Sequence, residues 1–197
     1  WSGNNKSISN LYGTDKALRS VLESQGDNSG QSKNINMNAN YKHTFDSLGK
    51  ELTTDLDYGY YDNQGKNLLV TRAFNTNNAQ VGNTISLKGS QPSIVNIYSG
   101  KVDYVHPFSK TLKLETGIKS SYVTTDNNVL YMRDTSTGWF DDNERSNHFI
   151  FSENINAVYG IFTASLKKWE LTGGLRLENT NAKGEQVEID SSFTRKY

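Results

Sequence analysis

The sequence contains no cysteine and has no excess of charge of either sign. Without thiols the protein has no disulfides, no zinc-thiolate centre and no cysteine nucleophile, although this does not identify its compartment. Lysine plus arginine and aspartate plus glutamate number 21 each, so there is no cationic surplus to neutralise phosphates. Nucleic acid is therefore not an expected partner.

Apolar residues are also scarce. They make up 34% of the chain, against about 45–50% in ordinary globular proteins, and the mean hydropathy is -0.70. No stretch approaches the roughly 20 apolar residues of a membrane-spanning helix, and no signal peptide is evident at Trp1. Aromatic residues reach 11%, a share that argues against disorder.

Apolar and polar residues instead alternate along several stretches. In "NINMNANYKHTF", residues 34–45, every second side chain up to Tyr41 is apolar or aromatic and the intervening ones are mostly asparagine. The same two-residue period recurs over residues 52–60, 112–122 and 169–177. This period predicts β-strands with one apolar and one polar face. At about 12 residues the first stretch is longer than the 5 or 6 usual in soluble sheets.

The connections between these strands fall into two length classes. Tight turns are predicted at "FDSLGKEL", "PFSKTL" and "SLKKWEL", each with an aromatic residue at the corner, whereas residues 61–91 and 124–148 are predicted to be long polar loops. Residues 1–33 are expected to form a truncated strand plus an exposed loop, in which Thr14 is an alternative cap for a short helix. Residues 34–197 are expected to form a meander of long strands.

Strands of this length match a tilted bilayer crossing, which needs about 9 to 11 residues. In hydrocarbon every backbone polar group must be paired, so a sheet there closes into a barrel, and short turns opposite long loops are typical of outer-membrane barrels. The predicted fold is all-β: long antiparallel strands in up-and-down hairpins, about six to eight here, forming part of a transmembrane β-barrel over residues 1–197. A soluble β-sandwich is the alternative.

The amino-acid sequences of the strands also resemble those of a known family. The run "NINMNANYKHTFDSLGKELTTDLDYGYYDNQGK" and the hairpin "ENINAVYGIFTASLKKWELTGGLRLENTNAKGE" are similar to the outer-membrane β-barrel family of Bacteroidetes, which is itself similar to the barrels of TonB-dependent receptors. The resemblance implies a Gram-negative outer-membrane location and a non-enzymatic role in binding or uptake of a nutrient. It also implies contact with outer-membrane lipid, a TonB-type energy-coupling protein and a surface lipoprotein.

Two other functions remain open, a barrel that acts as an adhesin or assembly component without transport, and a soluble β-rich binding module. Because an isolated piece of barrel would expose sheet edges, we expect such a piece to close on itself or to self-associate.

Candidate site residues come from the loops and from the polar strand faces. Three aromatic residues in the predicted loop, Tyr131, Trp139 and Phe140, are candidates for stacking on a ligand, with packing against the loop as the alternative. No catalytic residue, cofactor or metal site is predicted, because the histidines lack ligand spacing and the acidic run "FDDNER" is typical of a solvated loop as well as of a calcium site. Charged residues of the polar faces are expected to line a lumen: Asp55, Asp57, Lys113, Glu115, Lys119 and Arg176.

Overall fold

The structure is a computed structural model, and it describes residues 1–135 and 137–197. Its strands are β1 (Ser2–Tyr12), β2 (Leu18–Thr44), β3 (Glu51–Asn75), β4 (Gln80–Ser109), β5 (Leu112–Thr135), β6 (Gly138–Asp141), β7 (Asn147–Leu166), β8 (Trp169–Gln186) and β9 (Ser191–Lys196), with one 3-10 turn at Val187–Ile189. All nine belong to one sheet in the order β1-β2-β3-β4-β5-β7-β8-β9, with β6 paired to β5. No helix in the described residues is long and apolar enough to cross a membrane.

The predicted all-β architecture of long antiparallel strands is confirmed, but the strands are longer than predicted. The six long strands from β2 to β8 have 18 to 30 residues each. The predicted polar loop over residues 61–91 is a hairpin in which β3 and β4 continue to a short turn at 76–79. The polar residues of this hairpin lie in paired strands. The sheet therefore continues through a segment that has few apolar residues.

Two further sequence predictions are corrected in the same way. Residues 1–33 form strand β1, a turn at 13–17 and the first part of β2, with Ser2 paired to Ser29 and Leu11 to Ser20. The predicted strand at the start of the chain is present, whereas the residues predicted as an exposed loop, or as a helix capped by Thr14, are in the paired strands β1 and β2 and the turn between them. The segment 124–148 contains the end of β5, strand β6 and the start of β7, and Ser136 lies outside the described residues. With the short strands β6 and β9, the described residues contain nine strands instead of the predicted six to eight.

The turns follow from local side-chain chemistry. Between β2 and β3, the Asp46 carboxylate accepts hydrogen bonds from the backbone N–H of Leu48 at 2.9 Å and of Lys50 at 3.1 Å, and Gly49 has a φ of +93°. Asn75 performs the same function between β3 and β4, where its side-chain oxygen accepts from two backbone N–H groups. Aspartate, asparagine and glycine are favoured in turns for these reasons.

The chain divides into two compact units. Unit 1 contains Trp1–Lys33, Asp62–Ser93 and Asn127–Phe149, which are the ends of three hairpins. Unit 2 contains Asn34–Tyr61, Ile94–Asp126 and Ile150–Tyr197, and therefore includes the three tight turns and the β8–β9 hairpin.

A dry core is almost absent from the described residues. Ala157 and Ala182 are the apolar side chains that are buried there, while most large apolar side chains are exposed. A soluble β-sandwich would bury one face of each sheet against the other. Within the described residues no second layer covers the apolar faces of this sheet, which differs from the arrangement of a β-sandwich.

Candidate functional site

One face of the unit 2 sheet is apolar and open. On β2, Ile35, Met37 and Tyr41 are 50%, 62% and 58% exposed. On β3 the Leu56 side chain shares this face with β4, since its Cδ2 lies 3.5 Å from the position of a Cβ added at Gly100. These are the apolar positions that alternation identified, so the sequence assigned this face correctly.

Aromatic and imidazole rings border this apolar face near the tight turns. The His43 and Phe45 ring centroids are 4.5 Å apart, edge to face, and those of His106 and Phe108 are 4.8 Å apart. Phe45 and Tyr104 connect the two groups at 6.4 Å. We call the six rings the aromatic girdle: Tyr41, His43, Phe45, Tyr104, His106 and Phe108. Amphipathic rings in this position are typical of a membrane boundary.

The opposite face of unit 2 is a hydrogen-bonded polar surface. Between β2 and β3, the Asn38 amide donates to Asp57 at 2.7 Å and the Asn40 amide donates to Asp55. The Tyr61 hydroxyl donates to Asn36 at 2.8 Å. The even-numbered amides of β2 and the odd-numbered carboxylates of β3 thus share one face, as the sequence predicted.

A second group on this polar face connects three strands. The Tyr159 hydroxyl of β7 donates to the Asp103 carboxylate of β4, and its ring lies over Gly117 of β5. Lys101 forms an ion pair of 2.6 Å with the same carboxylate, and the Arg176 guanidinium lies 5.9 Å from the centre of the Tyr159 ring. We call Tyr159, Gly117 and Asp103 the tyrosine bridge. The tyrosine bridge was not predicted from the sequence, although glycine within a strand can signal such a close approach.

Beside the tyrosine bridge, strands β4, β5, β7 and β8 border a concavity of about 730 Å³. The side chains that line it include three cations, two that carry a hydroxyl group and one aliphatic group: Lys101, Lys119, Arg176, Thr172, Tyr159 and Ile161. We call it the cationic concavity. Its volume lies within the range of about 300–1,000 Å³ that is typical of small-molecule sites.

The family comparison agrees with this two-faced sheet. A family model described as "Outer membrane protein beta-barrel family" matches residues 43–197. The chain belongs to this outer-membrane β-barrel family. No curated protein matches the sequence.

Membership in the barrel family indicates what each face of the sheet contacts. The protein is located in the outer membrane of Gram-negative cells, and the family is typically non-enzymatic. The apolar face of a barrel strand meets lipid, and the opposite face points to the interior. Asp55 and Asp57 lie on this interior face with their amide partners, and so do Lys119 and Arg176 through their contribution to the cationic concavity.

The three candidate aromatic residues of this barrel protein lie in unit 1 and do not form one surface. In the β5–β6 register, Phe140 is opposite Arg133 and Trp139 is opposite Asp134. Cross-strand partners share a face, so Phe140 lies on the same face as Arg133 and Tyr131, and Trp139 lies on the other.

Each aromatic residue also has different contacts. The Tyr131 hydroxyl accepts a hydrogen bond of 3.0 Å from Gln91, and the Lys88 ammonium lies 3.8 Å from the centre of a Trp139 ring. Phe140 is 51% exposed. A role in ligand binding therefore remains a prediction, with Phe140 the most accessible ring of the three.

The acidic run at 140–145 has a structural role in unit 1. The side chain of Asp142 is 3% exposed and forms an ion pair with Arg145. The Asp142 carbonyl also accepts hydrogen bonds from the Arg145 and Ser146 backbone N–H groups at 3.1 Å and 2.9 Å. Because its carboxylate is paired with a guanidinium, Asp142 stabilises the connection between β6 and β7.

Proposed function

We propose that this outer-membrane barrel protein binds a polar nutrient and admits it through a water-filled interior, in the manner of the TonB-dependent receptors that its strands resemble. The observation that carries this proposal is the polar face of unit 2. A barrel interior filled only by apolar side chains would not need paired amides and carboxylates on successive strands, whereas a wet interior accommodates them.

The proposal assigns different roles to the two units. The hairpins of unit 1 supply polar groups and the exposed ring of Phe140 for the first contact with a nutrient. The polar face of unit 2, with the Asn38–Asp57 and Asn40–Asp55 pairs, offers successive hydrogen-bonding groups to a solute. Uptake against a gradient requires a source of energy, which this proposal assigns to a partner.

The partners follow from the resemblance to the TonB-dependent receptors. A TonB-type energy-coupling protein would provide the energy for uptake, and a surface lipoprotein would assist capture of the nutrient. A Bacteroidetes source is part of the same proposal. Outer-membrane lipid is the expected neighbour of the apolar face, where the aromatic girdle borders it.

Cysteine labelling tests whether the polar face is wet. Because the sequence has no cysteine, Met37→Cys and Asn38→Cys each introduce a single thiol on adjacent residues of opposite faces. In the intact protein in outer-membrane vesicles, a membrane-impermeant maleimide should label the thiol at position 38 and leave that at position 37 unmodified. Equal labelling at the two positions, or labelling at 37 alone, would contradict a wet interior.

Uptake measurements test transport separately. With a radiolabelled nutrient that supports growth of the source cells, uptake should fall to the background level when the barrel protein or its TonB-type partner is deleted. Unchanged uptake in both deletion strains would refute transport. A labelled, water-accessible interior combined with unchanged uptake would instead favour a barrel that acts as an adhesin or assembly component.

A further inference from the structure

We propose that the cationic concavity of unit 2 is a binding site for the carboxylate or phosphate group of a small organic anion. This inference deepens the proposed function, because the site is reached only if the interior is wet. It names a chemical class of solute for a surface to which nothing else assigns a ligand.

The charge distribution indicates an anion. Lys101, Lys119 and Arg176 contribute to the wall of the concavity, whereas no carboxylate does so among the described residues. Lys101 and Arg176 each form an ion pair with a carboxylate two residues further along the strand, Asp103 at 2.6 Å and Glu178 at 2.5 Å.

Lys119 differs from these two cations. Its side chain is exposed, and within residues 1–135 and 137–197 it has no ion-pair partner. The nearest other basic residue of β5 on this face, Lys113, is paired with Glu115 at 2.5 Å. Lys119 is thus the cation of the concavity that an incoming oxyanion can neutralise without displacing a carboxylate.

The ion pairs orient the other two cations without exhausting their donors. A lysine ammonium has three N–H donors and an arginine guanidinium has five. Arg176 uses Nε and Nη2 for Glu178, at 2.9 Å and 2.5 Å, so its Nη1 donors are free of that pair. Held in this way, Lys101 and Arg176 have donors available for a ligand that is anchored by Lys119.

The size and lining of the concavity indicate an organic anion. Gly174 lies on the same face of β8 as Thr172 and Arg176, so this position has no side chain to fill the space. A Cβ at Gly174 would lie 3.0 Å from the Gly160 carbonyl oxygen and 3.1 Å from Ile161 Cγ1. Ile161 and the Tyr159 ring provide an apolar surface beside the charges, which suits the carbon skeleton of a carboxylate or phosphate ester.

The test uses charge-selective modification of a thiol placed in the concavity. Thr172→Cys introduces the single thiol of residues 1–197 into the intact protein in outer-membrane vesicles, any cysteine outside this range being replaced. Its reaction rates with an anionic and a cationic thiosulfonate reagent are then compared. Lys119→Gln should lower the ratio of anionic to cationic rates by about fivefold, as expected for one charge at a distance of several ångströms. Lys119→Arg should keep the ratio, and Lys196→Gln, an equal charge change on β9, should leave it unaltered.

Competition shows whether an anion binds. Inorganic phosphate and sodium acetate, at matched ionic strength, should slow the anionic reagent at position 172 in the parent and not in Lys119→Gln. Slowing by one of them identifies the oxyanion type. A ratio that does not respond to Lys119→Gln, or the absence of slowing by both anions, would overturn the site.

The reactivity of the thiol in Asn38→Cys tests the proposed function independently of the anion site. If thiols at positions 38 and 172 both resist all water-soluble reagents, the wet interior is wrong and the anion site is wrong with it. If the thiol at position 38 reacts while that at position 172 shows no dependence on Lys119, the anion site alone is refuted.

Discussion

Replacing Gly117 with alanine would place a methyl group in the space that the Tyr159 ring occupies. An added Cβ at this position would collide with Tyr159 Cζ and the hydroxyl oxygen and would lie 2.6 Å from Asp103 Oδ1. Real Cβ atoms do not approach other heavy atoms this closely. The ring must therefore move, and its hydrogen bond to Asp103 must lengthen or break.

The magnitude follows from these two changes. Inserting a methyl group into a packed contact costs about 1–3 kcal/mol, and a hydrogen bond to a charged group contributes about 1.5–3 kcal/mol. Because the polar face is partly solvated, water replaces part of the lost hydrogen bond. We expect Gly117→Ala to lower the free energy of unfolding by about 2–4 kcal/mol.

Guanidinium unfolding of the intact protein in phospholipid vesicles, followed by tryptophan fluorescence, measures this loss. Gly100→Ala is the matched control, because its Cβ would meet Leu56 Cδ2 at 3.5 Å, an ordinary contact. This control should leave stability unchanged or raise it by up to about 1 kcal/mol, since alanine is less flexible than glycine in a strand.

A double-mutant cycle identifies the cause. In a Tyr159→Ala background the ring is gone and the Asp103 carboxylate, released from its hydrogen bond to the Tyr159 hydroxyl, can turn away from residue 117. Gly117→Ala should therefore cost less than about 0.5 kcal/mol there. A cost that stays above about 2 kcal/mol in this background would refute the tyrosine bridge as the reason.

Three further predictions concern other parts of the molecule. Leu56→Arg on the apolar face should destabilise the protein by about 2–4 kcal/mol in vesicle unfolding, whereas Asp55→Arg on the polar face should cost clearly less, and equal costs would contradict the assignment of the faces. Arg145→Ala leaves the buried Asp142 carboxylate without its cation and should cost about 1–3 kcal/mol, seen as faster proteolysis in the β6–β7 connection; unchanged cleavage would count against the pair. Trp139→Ala removes the ring beneath a lysine ammonium and should cost at least about 0.5–1 kcal/mol, with an unshifted unfolding midpoint as the contrary result.

Sequence alone predicted the faces of unit 2 well. Alternation placed Ile35 and Met37 on one face and Asn38 and Asp57 on the other, and the structure shows both. This success has a simple cause, because successive side chains of a strand point to opposite faces whatever the rest of the fold does. The aromatic girdle could be predicted in the same way, because its rings are next to the tight turns in sequence and a tight turn lies at the end of a membrane-crossing strand.

Strand length could not be predicted in the same way. The hairpins of unit 1 extend over polar residues that sequence analysis assigned to loops, from 61 to 91 and from 124 to 148. Their strand conformation comes from pairing with a neighbouring strand, and a polar residue that is paired has no distinctive local pattern. The change from apolar to polar residues therefore predicted the end of the apolar face, but the strands themselves continue beyond that point.

The amino-acid sequence by itself determined the two-residue period, the turn residues and the family, because each depends on neighbours along the chain. Only the tertiary structure decided which distant residues meet: Tyr159 and Asp103 are 56 positions apart and are joined across Gly117, and the cationic concavity draws its cations from three strands. Such contacts depend on the register between strands, and an alternating pattern does not fix it, because a slip of two residues leaves every side chain on the same face.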